Sequence, residues 1–237
     1  MGVGSRRGLV GLGIGLALAD SSVVTLALPD ILRRFDVEIP TVAWVLTSYN
    51  LALALLAVPA AYVARRRPRS AFAAGAVVFA GASLVCGLAP SFELLVAGRC
   101  VQAVGGAFVV VAALDLLAAT TGSDVRAAHL WVLAGVLGAS LGPAAGGILT
   151  EALGWESIFL VQVPLALLTL AVLRGLAIER RTARAGRPRL TANAALLLLS
   201  AANWAYTWLA AGRDTDELGD SFASILVDGI RGYAARS

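Results

Sequence analysis

Residues Gly135 to Gly147 read GVLGASLGPAAGG, inside an apolar segment too long and too free of charge for an ordinary soluble helix. Glycines fall four apart at Gly138, Gly142 and Gly146, and the adjoining ridge carries Ala139, Pro143 and Gly147. One helical face is therefore almost bare of side chains. Lipid tails are as apolar as leucine, so helices in a bilayer associate through close packing, which small residues permit. The stretch predicts a membrane helix whose backbone a neighbour approaches closely. Pro143 has no amide hydrogen and crowds the carbonyl of Ala139, which predicts a bend in the middle of that face.

Outward from this stretch the chain keeps the same character. Of its 237 residues, 59% are hydrophobic and 14% charged, and its mean hydropathy is +0.82. That composition lies outside the soluble range and indicates an integral membrane protein. All 19 basic residues are arginine, and most cluster in short segments between apolar runs. The net charge of +4 is thus assigned to membrane orientation, and no nucleic-acid partner is expected. Cys86 and Cys100 lie within apolar segments, where thiols act as packing groups. Neither a metal site nor a cofactor is expected. Arg6 and Arg7 precede an apolar run in the manner of a signal peptide, but that run contains Asp20 and reaches Leu28 without a cleavage site, so it reads as a first span.

A hydrocarbon core of about 30 Å takes roughly 20 helical residues. By that measure the expected spans are Leu9 to Leu28, Val42 to Ala64, Ala71 to Leu88, Phe92 to Ala119, Ala127 to Leu149, Ser157 to Leu176 and Leu190 to Ala211. The last has a competitor: Asn193, Asn203 and Arg213 dilute it, and it can be read as re-entrant or surface-bound, leaving six spans. Its length and the interfacial Trp204, Tyr206 and Trp208 favour a true span. The expected plan is a six-helix unit over 1–178, a basic cytoplasmic linker over 179–189, a seventh transmembrane helix over 190–211, and a polar or amphipathic tail over 212–237. In the tail, Leu218, Phe222, Ile225, Leu226 and Ile230 have helical spacing, and a disordered tail is the alternative. Orientation follows from arginine counts. With the N-terminus cytoplasmic, the inside segments hold 13 arginines and the outside loops between spans only Arg33 and Arg34.

Ionisable groups within spans are costly and therefore informative. At 1.5 Å per residue, Asp20 lies roughly 17 Å from the inner end of span one, and Arg99 roughly 10 Å below the outer end of span four. In a core of about 30 Å these depths nearly coincide, so the two are expected to be able to pair. Gln102 sits one turn from Arg99 on the same face. Two readings stay open: a proton-coupling group whose charge depends on its arginine, or a static ion pair that holds the bundle. Tyr49 and Asn50 in span two are candidate cavity groups or interhelical hydrogen-bonders. Asp115 and His129 lie near the inner surface and read as boundary residues, while Pro59 and Pro164 read as kinks. No paired carboxylates, histidine cluster, phosphate-binding glycine loop or activated serine is present, so enzyme chemistry is not expected.

Taken together, these residues resemble the N-terminal half of the major facilitator superfamily, and most closely its fourteen-span drug:proton antiporter branch. Gly138, Gly142, Pro143, Gly146 and Gly147 follow the antiporter signature of span five. Asp20, Val24, Ala27, Leu28 and Pro29 are similar to the branch's element in span one. Trp44 and Tyr49 stand where the family has its Trp and Tyr of span two, which adds Trp44 to the cavity candidates. Arg99 and Gln102 look like the Arg-x-x-Gln-Gly motif of span four, with Ala103 for its glycine. Gly154, Trp155, Phe159 and Pro164 follow the run after span five, with Glu156 and Gln162 replacing its arginine and asparagine. The likeness covers residues 15 to 175.

The resemblance implies a six-helix major-facilitator-type half bundle of two inverted three-helix repeats, with a substrate cavity between two such halves. It also implies proton-driven export of small hydrophobic or cationic compounds across the plasma membrane, with Asp20 as protonation site and Arg99 as its partner. The glycine helix would keep the outward side sealed. Two departures stand out. The loop after span two reads Ala61, Tyr62, Val63, Ala64, Arg65, Arg66, Arg67, Pro68, Arg69 where the family has Gly-x-Leu-Ala-Asp-Arg-x-Gly-Arg. The chain also has one half's spans, so a homodimer or a separate second half is the expected partner. A truncated, non-transporting remnant or accessory membrane subunit is the alternative.

Overall fold

The computed structural model describes residues 2–173; the expected linker, seventh span and tail lie outside them. Among the described residues every element is helical: α1 (Val3–Thr25), α2 (Leu28–Phe35), α3 (Ile39–Val42), α4 (Trp44–Ala64), α5 (Pro68–Gly87), α6 (Phe92–Thr121), α7 (Asp124–Leu153) and α8 (Glu156–Thr169), closed by a 3-10 turn at Leu170–Leu173. Six helices are long and apolar enough to cross a membrane, with α3 and α4 counted as one span and α8 with its 3-10 turn as another.

Local chemistry sets the boundaries. Ser91 accepts from the Leu94 amide at 3.3 Å and Ser123 from the Arg126 amide at 3.4 Å, the short polar caps that open α6 and α7. Gly122 ends α6 in the left-handed region at φ 66°, a conformation glycine adopts without penalty. The first span stops at Thr25, short of the expected Leu28, because Pro29 cannot donate into a continuing helix. It instead opens the short α2 as a first-turn proline. The stretch carrying Arg33 and Arg34 is thus helical, with Ile31 buried and Arg33 bonded to Asp30. Helices α4, α7 and α8 run through Pro59, Pro143 and Pro164 as continuous elements.

Packing shows the internal repeat. Helix α1 lies along α7, and α6 lies along α4. Exchanging the first three spans for the last three turns one pair into the other. The contacts of α5 with α8 and of α1 with α6 map onto themselves under the same exchange. The arrangement is a six-helix bundle of two inverted three-helix repeats. Its centre holds Ile14, Ala17, Tyr49, Phe72, Phe79, Ala103 and Ala107, all buried. At the end carrying α2, Phe35, Trp155 and Phe159 stack edge to face with centroids 5.7 and 6.2 Å apart. Helix α7 is the least buried span, with Val132, Val136, Leu141 and Ile148 more than half exposed, and α4 exposes Leu55, Val58 and Tyr62. These two helices occupy equivalent positions in the two repeats.

Candidate functional site

Helix α1 brings Asp20, and α6 brings Arg99 and Gln102, to one point in the middle of the bundle, where all three are fully buried. Arg99 Nη1 donates to Asp20 Oδ2 and, at 2.7 Å, to Gln102 Oε1. Arg99 Nε donates to the carbonyl of Val45 in α4 at 2.9 Å. The Tyr49 ring lies 4.3 Å from the guanidinium carbon and Phe159 5.6 Å from it, adding cation–π attraction away from water. The remaining guanidinium nitrogen, Nη2, is buried without a hydrogen-bond partner. Tyr49 itself donates to the Ala17 carbonyl at 2.8 Å. Two charges out of water are costly, and the geometry must offset that with good pairing and further hydrogen bonds. Three helices supply them here.

Two more residues complete the network. Gln162 of α8 donates through Nε2 to Asp20 Oδ1 at 2.9 Å and accepts through Oε1 from Gln102 Nε2 at 2.7 Å. Ser83 of α5 accepts from Gln102 Nε2 at 2.8 Å and donates to the Phe79 carbonyl at 2.8 Å. The carboxylate of Asp20 therefore receives Arg99 on one oxygen and both glutamine amides on the other, Gln102 at 3.2 Å. In the sequence Gln162 stands out only as a replacement for the family's asparagine. Its signal is an amide in the middle of an apolar span, which must find a partner inside the bundle. Nothing in the sequence distinguishes Ser83 from other small residues.

The other candidates lie apart from this cluster. Asn50 accepts from Ser21 Oγ at 2.8 Å, joining α4 to α1. Trp44 is half exposed at the start of α4. On α7, Gly142 and Gly146 are buried and Gly138 half-buried, while Ala139 on the next ridge is exposed. The partner of that glycine face is α1. A methyl group built on Gly138 would meet the carbonyl of Gly15, on Gly142 the Ser22 hydroxyl, and on Gly146 the carbonyl of Val23. Beside this contact runs an apolar groove of about 520 Å³, walled by Gly15 and Ala19 of α1, Leu137 and Leu141 of α7, and Gln162 and Leu165 of α8, with Arg7 at one end. That volume suits a drug-sized compound. Among the described residues no cluster of three or more His, Cys, Asp or Glu side chains could hold a metal ion.

The chain is similar to known proteins. Residues 10–216 match the family model described as Major Facilitator Superfamily. The chain is 37% identical over 167 residues to the multidrug resistance protein Stp of Mycobacterium tuberculosis (strain CDC 1551 / Oshkosh), covering 68% of this chain and 30% of that protein. It is 31% identical over 202 residues to the tetracenomycin C resistance and export protein of Streptomyces glaucescens, covering 84% of this chain and 37% of that protein. This chain thus spans about a third of the length of these relatives. The crystal structure of tetrameric PepTSo2 shares its fold with a TM-score of 0.61 at 14% identity, over 97% of this chain and 53% of that one. With a family match over most of its length and six membrane-length helices in an inverted-repeat bundle, the chain belongs to the Major Facilitator Superfamily.

Proposed function

We propose that this chain forms one wall of a proton-coupled exporter of small hydrophobic or cationic compounds, set in the plasma membrane with its N-terminus cytoplasmic. The reading rests above all on the buried pair of Asp20 and Arg99, which places a protonatable group opposite a fixed positive charge in the middle of the bundle. Protonation of Asp20 would release it from Arg99, and a change of that size in buried charge is enough to favour one packing over another. The relatives named for multidrug resistance and for tetracenomycin C resistance and export support the direction and class of transport proposed. The arginines of the inner segments support the orientation.

A second six-helix unit would complete the cavity against the exposed faces of α4 and α7. The glycine face of α7 on α1 would hold that side closed to leak. The test is proton-linked efflux of a lipophilic cation such as ethidium from everted vesicles containing the protein, with oligomeric mass measured alongside. Efflux that collapses with the proton gradient and is abolished by Asp20→Asn is expected. Transport indifferent to the gradient, or no transport from a dimer or a completed pair, would overturn the reading in favour of a non-transporting accessory subunit.

A further inference from the structure

The hydrogen-bond inventory around Asp20 is uneven, and the unevenness singles out Gln162. As a carboxylate, Asp20 accepts only: Oδ2 faces Arg99 Nη1, and Oδ1 faces the Nε2 groups of Gln102 and Gln162. A protonated carboxyl has one hydrogen to donate, and every neighbour of its two oxygens is a donor. A proton arriving on Oδ1 therefore forces one of the two amides to present its oxygen instead of its nitrogen. Gln102 is poorly placed to do so, because its Oε1 is held by Arg99 Nη1 at 2.7 Å and its side chain is fully enclosed.

Gln162 has the freedom that Gln102 lacks. Its Oε1 is held only by Gln102 Nε2 and, at 3.2 Å, by Ser83 Oγ, and both donors have other acceptors. Gln102 Nε2 reaches Ser83 Oγ at 2.8 Å and Ser83 Oγ reaches the Phe79 carbonyl at 2.8 Å. Gln162 also borders the groove between α1, α7 and α8, so it has a free side toward which to turn. After a half-turn its Oε1 accepts the Asp20 hydrogen and its Nε2 donates to Ser83 Oγ, and Gln102 Nε2, 2.7 Å from that end of the amide, must draw back from it toward Ser83 Oγ.

We propose that Gln162 is the positioning residue for protonation of Asp20: its amide holds the ionised carboxylate in one orientation and receives the acid hydrogen in the other. The inference rests on the reading of Asp20 as a protonation site. The ionisable groups facing Asp20 are Arg99 from α6, Tyr49 from α4 and Cys86 from α5. From α8 comes Gln162, and the ionisable residues Asp124, Arg126, His129, Glu151 and Glu156 of α7 and α8 lie toward the helix ends. Among the described residues, Gln162 is the α8 side chain bonded directly to the carboxyl.

The experiment is infrared titration of the full chain in lipid, following the carboxylic-acid carbonyl band that Asp20→Asn removes. Gln162→Met keeps the length of the side chain and deletes both polar ends of its amide. The half-protonation point of the band is expected to move to higher pH by about one unit, a tenfold change in proton affinity, because the bond lost from the ionised form, being charge-assisted, is stronger than the one lost from the acid form. Gln162→Asn, which keeps an amide, is expected to move it by less than half as much, and it remains informative if the methionine variant folds poorly. A wild-type midpoint retained in both folded variants would overturn the role of Gln162 while leaving Asp20 as a titrating group. Absence of any Asp20 band from pH 4 upward in the wild type would overturn both.

Discussion

Helix α1 is held on its two sides by opposite means. Toward α6 and α8 it offers one charged side chain, Asp20, which meets Arg99, Gln102 and Gln162 in a set of directional bonds. Toward α7 the contact is close because α7 lacks side chains: Gly138 and Gly146 meet the backbone of Gly15 and Val23, and Gly142 leaves room for the Ser22 hydroxyl. Both solutions answer the same difficulty, that burial of apolar surface does not by itself bring helices together in lipid. They differ in what they permit. A close backbone contact has one good geometry and loses attraction steeply when it opens. A network in which one donor has several acceptors within reach, as Gln102 Nε2 has Asp20, Ser83 and Gln162, can rearrange its bonds, and an added proton can select among the arrangements. On the proposed reading, the α6 side of α1 is the one suited to change state and the α7 side the one suited to stay shut.

The largest effect should come from breaking the charged side unequally. Arg99→Leu leaves Asp20 buried with its charge unpaired, a loss of about 3–5 kcal/mol, read as a fall in thermal midpoint and folded yield in mild detergent. The double variant Asp20→Leu with Arg99→Leu should recover most of that loss, since replacing both ions by apolar groups is often neutral, yet should show no proton coupling. If the single variant is no less stable than the double, the pair does not hold the bundle.

On the other side the damage should be smaller and of a different kind. A methyl group at Gly11 would sit 3.7 Å from Cβ of Ala134, within the range a disulfide spans. The pair Gly11→Cys and Ala134→Cys should therefore cross-link readily on mild oxidation. Adding Gly138→Val should cut that yield several-fold and cost about 1–3 kcal/mol, the usual effect of overpacking a close contact. Cross-linking undiminished by the valine would mean that α1 and α7 are not held through these glycines.

Much of this contrast can be read in the chain itself. The six spans of the described residues follow from length and hydropathy, because in lipid a helix must satisfy its own backbone; the expected seventh lies outside those residues. That Asp20 and Arg99 can meet follows from rise per residue and bilayer thickness, with no knowledge of which helices are neighbours. The glycine face of Gly138 to Gly147 announces a close neighbour but not its name. The complementary spacing of Gly11, Gly15 and Ala19 becomes meaningful only once α1 is seen to lie there. Gln162 and Ser83 are harder still, since a single polar residue in a span says that it has a partner and nothing about where. The first span's early end was signalled by Pro29, whose preference for a first turn outweighed the hydropathy that carries the apolar run on to Leu28.

The smallest predicted change tests whether glycine itself matters or only its surroundings. Gly81 in α5 has nothing within 4 Å of where a Cβ would stand, whereas at Gly138 the Gly15 backbone occupies that space. Alanine is the better helix former of the two by about 0.8–1.0 kcal/mol in water, and removing a glycine also narrows the unfolded ensemble. Gly81→Ala should therefore be neutral or stabilise the protein by up to about 1 kcal/mol, and should leave the Gly11 to Ala134 cross-link unchanged. Gly138→Ala carries the same propensity gain, but its methyl must push α1 and α7 apart, so it should destabilise and weaken the cross-link. The opposite signs of one chemical change at two helical glycines would assign the effect to contact with α1. Equal effects at both positions would assign it to backbone propensity, and the α1–α7 seam would then owe its closure to something other than its missing side chains.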